Sequence, residues 1–516
     1  MLEELSDFIL CSIRGCTRQL LPLCRLSNMI KICAIISFLV CVLPTGTCVA
    51  YDLVGTAALS EELIAQHYTI NPNLDAVIVV DKTIPTFEYQ TYYSAGSADE
   101  KEGEQGRIHF LEHIISDTGS HEPGKLNQII VDNGGQNYAF TTIHHMYLRM
   151  RFPKDKFDLA VEIGSERFYN TVISEEVVEN QKKIVLTEIS RRQSDSGRNF
   201  SKRFWGLVYK KKNFDGLGTE NFVKQLKPDD LKDYYENFLR HQKRLIVVIG
   251  DVDVDHVLTK LDEAYGNEQI SSEISNESPP PQFPNPKILG KKVKDISKSL
   301  SSSKYWKSWQ TPHLSHRDYA TLLILARILN RTSNSLRSSL VDSKLARIFR
   351  VSFHHYKGFS LLSCMADLPH DTPIDAIETA IQTELAEIKT NGISKDEFNA
   401  AQNLQLKSMY SRFYDRSRMA LQFGQAFAHT NDPLLYPKLI KDLKSALRDD
   451  IPRLIDQYLR DDNSITLSLT LPPKEKTPLR TLLYYAFIFW ILAGFVSLVV
   501  WVIRRRSSPE RLSSNE

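Results

Sequence analysis

Two histidines four residues apart with a glutamate between them, His109-Phe110-Leu111-Glu112-His113, are the side chains of this chain best placed to do chemistry. On a helix, residues four apart project from one face, so both imidazoles reach a single ion. Glu112 stands three residues after His109, where a carboxylate can take a proton from a metal-activated water. Zinc suits such a set because it lowers the pKa of its water toward neutrality while the carboxylate shuttles the proton. A catalytic zinc holds three protein ligands and one open position, so a further His or acid is expected elsewhere. The segment from Glu175 to Arg192 reads as a helix carrying Glu175, Glu176, Glu179 and Glu188, and periodicity does not choose among them.

Other residue types narrow the chemistry. Six of the 7 cysteines precede residue 51 and only Cys364 follows, so a chain that loses its leader has neither an internal disulfide nor a cysteine zinc cluster. The pairs His144-His145 and His354-His355 are not expected to make a second metal site, because neighbours on a strand point to opposite faces. With 64 basic against 62 acidic residues, no overall field points to nucleic acid or to an acidic substrate.

The elements that must position the motif alternate in type. A short β-branched run, 76–80, precedes an amphipathic helix over 107–115. Residues 138–152 alternate as strands do, 157–169 has helical periodicity, and 244–249 is a buried strand. A Pro- and Ser-rich stretch near 271–286 supports neither helix nor central strand and reads as a linker. Beyond it come a helix over 320–329, a strand around 359–363, helices over 374–390 and 395–408, and a strand over 465–471. Both halves therefore read as α+β units of similar size.

The two ends read as membrane signals. From Met29, a basic start at Lys31, an apolar run to Leu43, Pro44 and Ala50 outline a secretory signal, with translation expected to begin at Met29. Residues 482–503 carry no charge and are followed by Arg504, Arg505 and Arg506, the pattern of a spanning helix with a cytoplasmic tail.

The chain resembles the pitrilysin/insulinase family of zinc peptidases, whose H-x-x-E-H order is the inverzincin signature. The resemblance rests on R-I-H-F-L-E-H-I at 107–114, N-G-G-Q-N-Y-A-F-T-T at 133–142, K-I-V-L-T-E-I at 183–189, and L-K-P-D-D-L-K-D-Y-Y-E-N-F at 226–238 leading into R-L-I-V-V-I-G-D-V-D. It implies that His109, His113 and Glu188 bind one Zn2+ per chain and that Glu112 is the general base. It makes Asn137 and Ala139 candidate peptide contacts on a strand that pairs with an extended substrate. Two departures are visible: Gln181 stands where relatives carry a second glutamate, with Glu179 as a neighbour able to compensate, and the 340–349 stretch lacks an evident Arg/Tyr pair.

The resemblance further implies two structurally related α+β domains, half of a clamshell, completed by a zinc-less homologous subunit or by a second copy. The expected organisation is a leader over 1–50, a zinc-bearing domain over 51–270, a linker over 271–290, a second peptidase-like domain over 291–475, a transmembrane helix over 481–503 and a cytoplasmic tail over 504–516. The function implied is a membrane-anchored, extracytoplasmic (periplasmic in a bacterium) zinc endopeptidase acting on peptides or unfolded segments. The rival is a catalytically inactive scaffold subunit.

Overall fold

The computed structural model describes residues 51–119, 121–122, 124–193, 195–210, 214–267, 290–297, 300–331, 335–472 and 479–506. The expected signal segment, the linker up to residue 289 and the tail from residue 507 lie outside the described residues.

Each half carries one sheet. The first contains β1 (Asp52–Ala58), β2 (Ile64–Asn71), β3 (Leu74–Val80), β4 (Thr86–Tyr93), β5 (Gln136–Thr141), β6 (Met146–Pro153) and β7 (Arg244–Gly250), in the order β1-β2-β3-β7-β4-β6-β5. Its helices are α1 (Arg107–Asp117), α2 (Lys125–Asp132), α3 (Phe157–Tyr169), α4 (Glu175–Gln193), α5 (Ser196–Tyr209), α6 (Glu220–Gln225), α7 (Pro228–Tyr234) and α8 (Val254–Tyr265). The second sheet contains β8 (Lys291–Ile296), β9 (Ser303–Thr311), β10 (Ile348–Tyr356), β11 (Phe359–Leu368) and β12 (Ser464–Thr470), in the order β10-β11-β9-β12-β8. Around it lie α9 (Tyr319–Leu329), α10 (Leu336–Asp342), α11 (Ile374–Asn391), α12 (Lys395–Tyr410), α13 (Arg416–Thr430), α14 (Leu435–Ser445) and α15 (Ile451–Tyr458).

The two sheets match strand for strand. Reading β5-β6-β4-β7-β3 against β10-β11-β9-β12-β8, every pair is antiparallel except the last of each run, β7 with β3 and β12 with β8, which are parallel. The likeness of the halves, read from sequence only as similar element types, is thus a shared topology, and β5 and β10 occupy the same edge.

The central strands explain the packing. In β3 and β7, Ala76, Ile78, Ile246 and Val248 face the core made with the first half's own helices. Their alternate neighbours Val77, Val79, Leu245, Val247 and Ile249 face a second core shared with α13 and α14. Both faces are buried, so these strands read as continuous apolar runs. The contact is close: a Cβ at Gly424 on α13 would lie 2.1 Å from the Tyr92 ring. At the start of α13, Arg416 donates to the Asp81 carboxylate (2.6 Å) and to the carbonyls of Thr86 (2.6 Å) and Asp81 (2.7 Å), tying the halves together. Opposing burial, Arg416 and Thr83 hold the Asp81 carboxyl down at about 2. Helix α5 adds a third contact, with the Phe204 ring stacked on Trp306 at 3.9 Å.

The last helix, α16 (Leu479–Arg506), contains 22 residues, Leu483–Arg504, of mean hydropathy 2.6 and with none of that surface buried. By length and composition it is able to cross a membrane.

The histidine pairs differ from expectation. His354-His355 does lie on β10, but His144-His145 lies in the turn between β5 and β6, where strand alternation does not apply. Both of its rings are buried and pack against His429, which in turn packs against His355, in the contact between the halves.

Candidate metal centre

Helix α1 carries His109, Glu112 and His113 and is fixed at both ends. The Glu100 carboxylate accepts the backbone N–H groups of Gly106 (2.8 Å) and Ile108 (2.7 Å), satisfying donors that the first turn leaves open. Gly106 itself has φ 101°, and a Cβ there would fall 2.5 Å from the Gly218 backbone, so only glycine fits. At the other end the fully buried Arg167 donates to the Ser116 carbonyl at 2.8 Å, and Asn137 Nδ2 joins it at 3.2 Å.

Glu188 on α4 completes the cluster. Its Oε2 lies 3.5 Å from His109 Nε2 and 3.6 Å from His113 Nε2. Ligand atoms on a tetrahedron with zinc bonds of ~2.0–2.1 Å lie about 3.3–3.4 Å apart, so these separations fit one shared ion. Among the described residues this is the one group of three or more such side chains close enough to hold a metal. Arg192, one turn further along α4, holds the other oxygen, Oε1, at 2.7 Å, which leaves Oε2 to face the imidazoles.

The electrostatics suit a cation. Burial, then the His113 charge, pushes the His109 pKa down to about 4, so its ring is neutral at pH 7. Its Nε2 faces Glu188 while its Nδ1 points into the buried interior. Burial works to lower His113 as well, but the facing Glu188 and the Glu112 charge outweigh it and raise the pKa. The His113 ring, with help from His109 and Arg192, overcomes burial and holds Glu188 down at about 2. Glu112 is 6% exposed, and burial pushes its carboxyl up to about 7, against the hydrogen bond that Thr141 Oγ1 donates to Oε2 at 2.6 Å. A carboxyl with a pKa near neutrality can both accept and return a proton.

The cluster lines a cavity of about 850 Å3 built from α1, β5, α4, α5 and the loops beside them; Asn137 and Ala139 line it, and among the described residues none beyond Leu217 does. Strand β5 is an edge of the sheet, so among the described residues its outer backbone groups face no neighbouring strand. Asn137 uses its amide N–H on the Ser116 carbonyl, so it holds α1 as well as lining the cavity.

The two side chains expected behind the ligands separate. Gln181 is buried on the cavity wall, donates to Asp117 Oδ2 at 3.0 Å and lies beside His113. Glu179 corrects the expectation: it is exposed and pairs with Lys182 at 2.6 Å, away from the centre. At about 100° per residue, Gln181 is nearly in phase with Glu188 whereas Glu179 lies on the opposite side of the helix. Sequence reading missed Thr141 and Arg192. Both had a signal: Thr141 follows Asn137 and Ala139 at strand spacing, and Arg192 follows Glu188 by four.

Two family models match the chain: "Insulinase (Peptidase family M16)" over residues 77–205 and "Peptidase M16 inactive domain" over residues 225–405. The zinc protease PqqE of Helicobacter pylori is 22% identical over 429 residues, covering 80% of this chain and 95% of that protein. The uncharacterized zinc protease YmxG of Bacillus subtilis is 19% identical, covering 78% and 97%. A crystal structure of a protease from Helicobacter pylori aligns with TM-score 0.71 at 20% identity, covering 79% of this chain and 99% of that one. The periplasmic protease PqqL of Escherichia coli aligns with TM-score 0.64 at 16% identity, over 81% of this chain and 48% of PqqL.

Proposed function

We propose, from the premise that the chain belongs to the insulinase (M16) peptidase family, that it is a zinc-dependent endopeptidase acting on peptides or unfolded segments. The observation that carries this reading is the convergence of His109, His113 and Glu188 on one point, with Glu112 beside them. His109, His113 and Glu188 would hold the ion. Zinc bound there supplies Lewis acidity toward water and a peptide carbonyl.

The chain's own groups do the rest. Glu112, held by the Thr141 hydrogen bond, accepts the proton of the attacking water and returns it to the leaving amine. An extended peptide adds to the open edge of β5, where its backbone pairs regardless of its side chains, past Asn137 and Ala139. Gln181, with no charge, orients His113 and Asp117 without adding to the field at the centre.

Among the described residues the wall of the cavity comes from the first half alone, and the chain spans about half of PqqL. Both support a half-enzyme that closes against a zinc-less homologous subunit or a second copy. The helix α16 would anchor it in a membrane with the peptidase halves extracytoplasmic.

The test is zinc content and hydrolysis of an unfolded protein by the full-length chain, alone and with its partner. Glu112→Gln should retain stoichiometric zinc and lose turnover, whereas His109→Ala should lose both. Zinc-free protein with no turnover in any pairing would favour a scaffold subunit.

A further inference from the structure

The duplicated topology gives the second half a counterpart of the metal cavity. Helix α9 follows β9 as α1 follows β4, and α12 is the second helix after β11 as α4 is after β6. A second cavity, of about 280 Å3, lies among α9, β10, α12 and α14. Its lining repeats the first in spacing. His109, Glu112, His113 and Ser116 on α1 match in spacing, 214 residues on, Leu323, Ala326 and Arg327 on α9 and Asn330 at its C-terminal cap. Gln181, Ile184 and Glu188 correspond, 224 residues on, to Gln405, Ser408 and Arg412.

At this second centre the charge is inverted. Arginines stand at the positions of His113 and Glu188, and among the described residues no Asp or Glu lines the cavity. Arg327 donates to Gln405 at 3.0 Å and Arg412 to Gln422 at 2.9 Å, both neutral amides. Among the described residues neither guanidinium has a carboxylate partner. Burial, then the Arg412 charge, lowers the pKa of Arg327, so the two cations repel across the cavity. Half-buried like charges without a counterion are unfavourable, and an anion between them relieves both the desolvation and the repulsion.

We propose that this cavity binds a carboxylate carried on a short apolar body, held by the forks of Arg327 and Arg412. Guanidinium forks match a planar carboxylate by paired hydrogen bonds. The rest of the wall includes Leu323, Val351, Phe353 and Leu439, which suit an aliphatic stem better than the hydrated shell of a phosphate dianion. The volume is roughly nine waters' worth, room for an acylated amino acid or the last residue of a peptide with its preceding amide. The last residue of an apolar-ended peptide and a free apolar amino-acid derivative share this chemistry.

The experiment titrates the full-length chain, with chelator present to empty the metal centre, with N-acetyl-L-leucine, its amide, a short peptide ending in leucine, and inorganic phosphate. The expected result is saturable binding of the acid, at least about tenfold weaker binding of the amide, and a similar loss in Arg327→Gln and Arg412→Gln. Tighter binding of the peptide than of the acetylated acid identifies a chain terminus as the ligand; equal binding identifies a free small acid. No saturable binding, equal binding of acid and amide, uptake of phosphate alone, or undiminished binding in folded Gln variants would overturn the proposal. Should the Gln variants fail to fold, Arg327→Lys and Arg412→Lys keep the charge without the fork and should show the same weakening.

Discussion

Lowering the pH should destabilise this protein well before its carboxylates are titrated, because four histidines are buried where the halves meet. His144 and His145 come from the β5–β6 turn, His355 from β10 and His429 from α13, with the His429 ring 5.5 Å from His144 and 5.7 Å from His355. Burial, aided by the Lys357 charge at His145 and by the His354 charge at His355, pushes these two down to about 3, and burial lowers His144 and His429 too. An unfolded histidine titrates near ~6.5, so as pH falls the unfolded chain gains protons that the folded one refuses. The stabilisation is complete above that value and is lost progressively below it. At pH 5, His145 and His355 each remove about 2 kcal/mol, about 4 together, a large share of a typical ~5–15 kcal/mol. His144 and His429 act in the same direction. Glu112, raised to about 7 from 4.5, opposes them with one proton. Urea unfolding followed by tryptophan fluorescence, with chelator present, should show the midpoint falling steeply between pH 7 and 5, and less steeply in His145→Gln. A midpoint that stays level across that range would refute the reasoning.

Four further outcomes follow from the same geometry. Arg416→Ala leaves the Asp81 carboxylate without its partner and should cost about 3 kcal/mol, read by the same unfolding assay. Arg192→Ala frees the second oxygen of Glu188 and should weaken zinc affinity by about 10–100-fold in a competition titration with a zinc chelator, leaving the fold intact. Thr141→Val removes the hydrogen bond that lowers the Glu112 pKa, so the acidic limb of the kcat/KM profile should move to higher pH. Gly106→Ala meets both a positive φ and the Gly218 backbone, and should reduce zinc retention along with stability.

How much of this was legible in the sequence depends on whether the information was local. The spacing of His109, Glu112 and His113 is a property of one helix turn, and the apolar runs of β3 and β7 announce strands buried on both faces. The uncharged stretch at the C-terminal end is equally local. Even the difference between Gln181 and Glu179 was available, since helical phase against Glu188 separates them.

Tertiary structure decided the rest. Among four glutamates on α4, the crossing of α4 over α1 selects Glu188, 188 minus 113 or 75 positions from the nearer histidine, and no periodicity reports how two helices cross. That β5 is an edge, and that Thr141 on it reaches Glu112, follows from strand order, which is set by pairing between segments far apart in the chain. The second cavity was hidden for the same reason: Arg327 and Arg412 are 85 positions apart (412 minus 327), on different helices, and only their placement around one space makes them a pair. Local spacing fixes which side chains share a face; only packing fixes which faces meet.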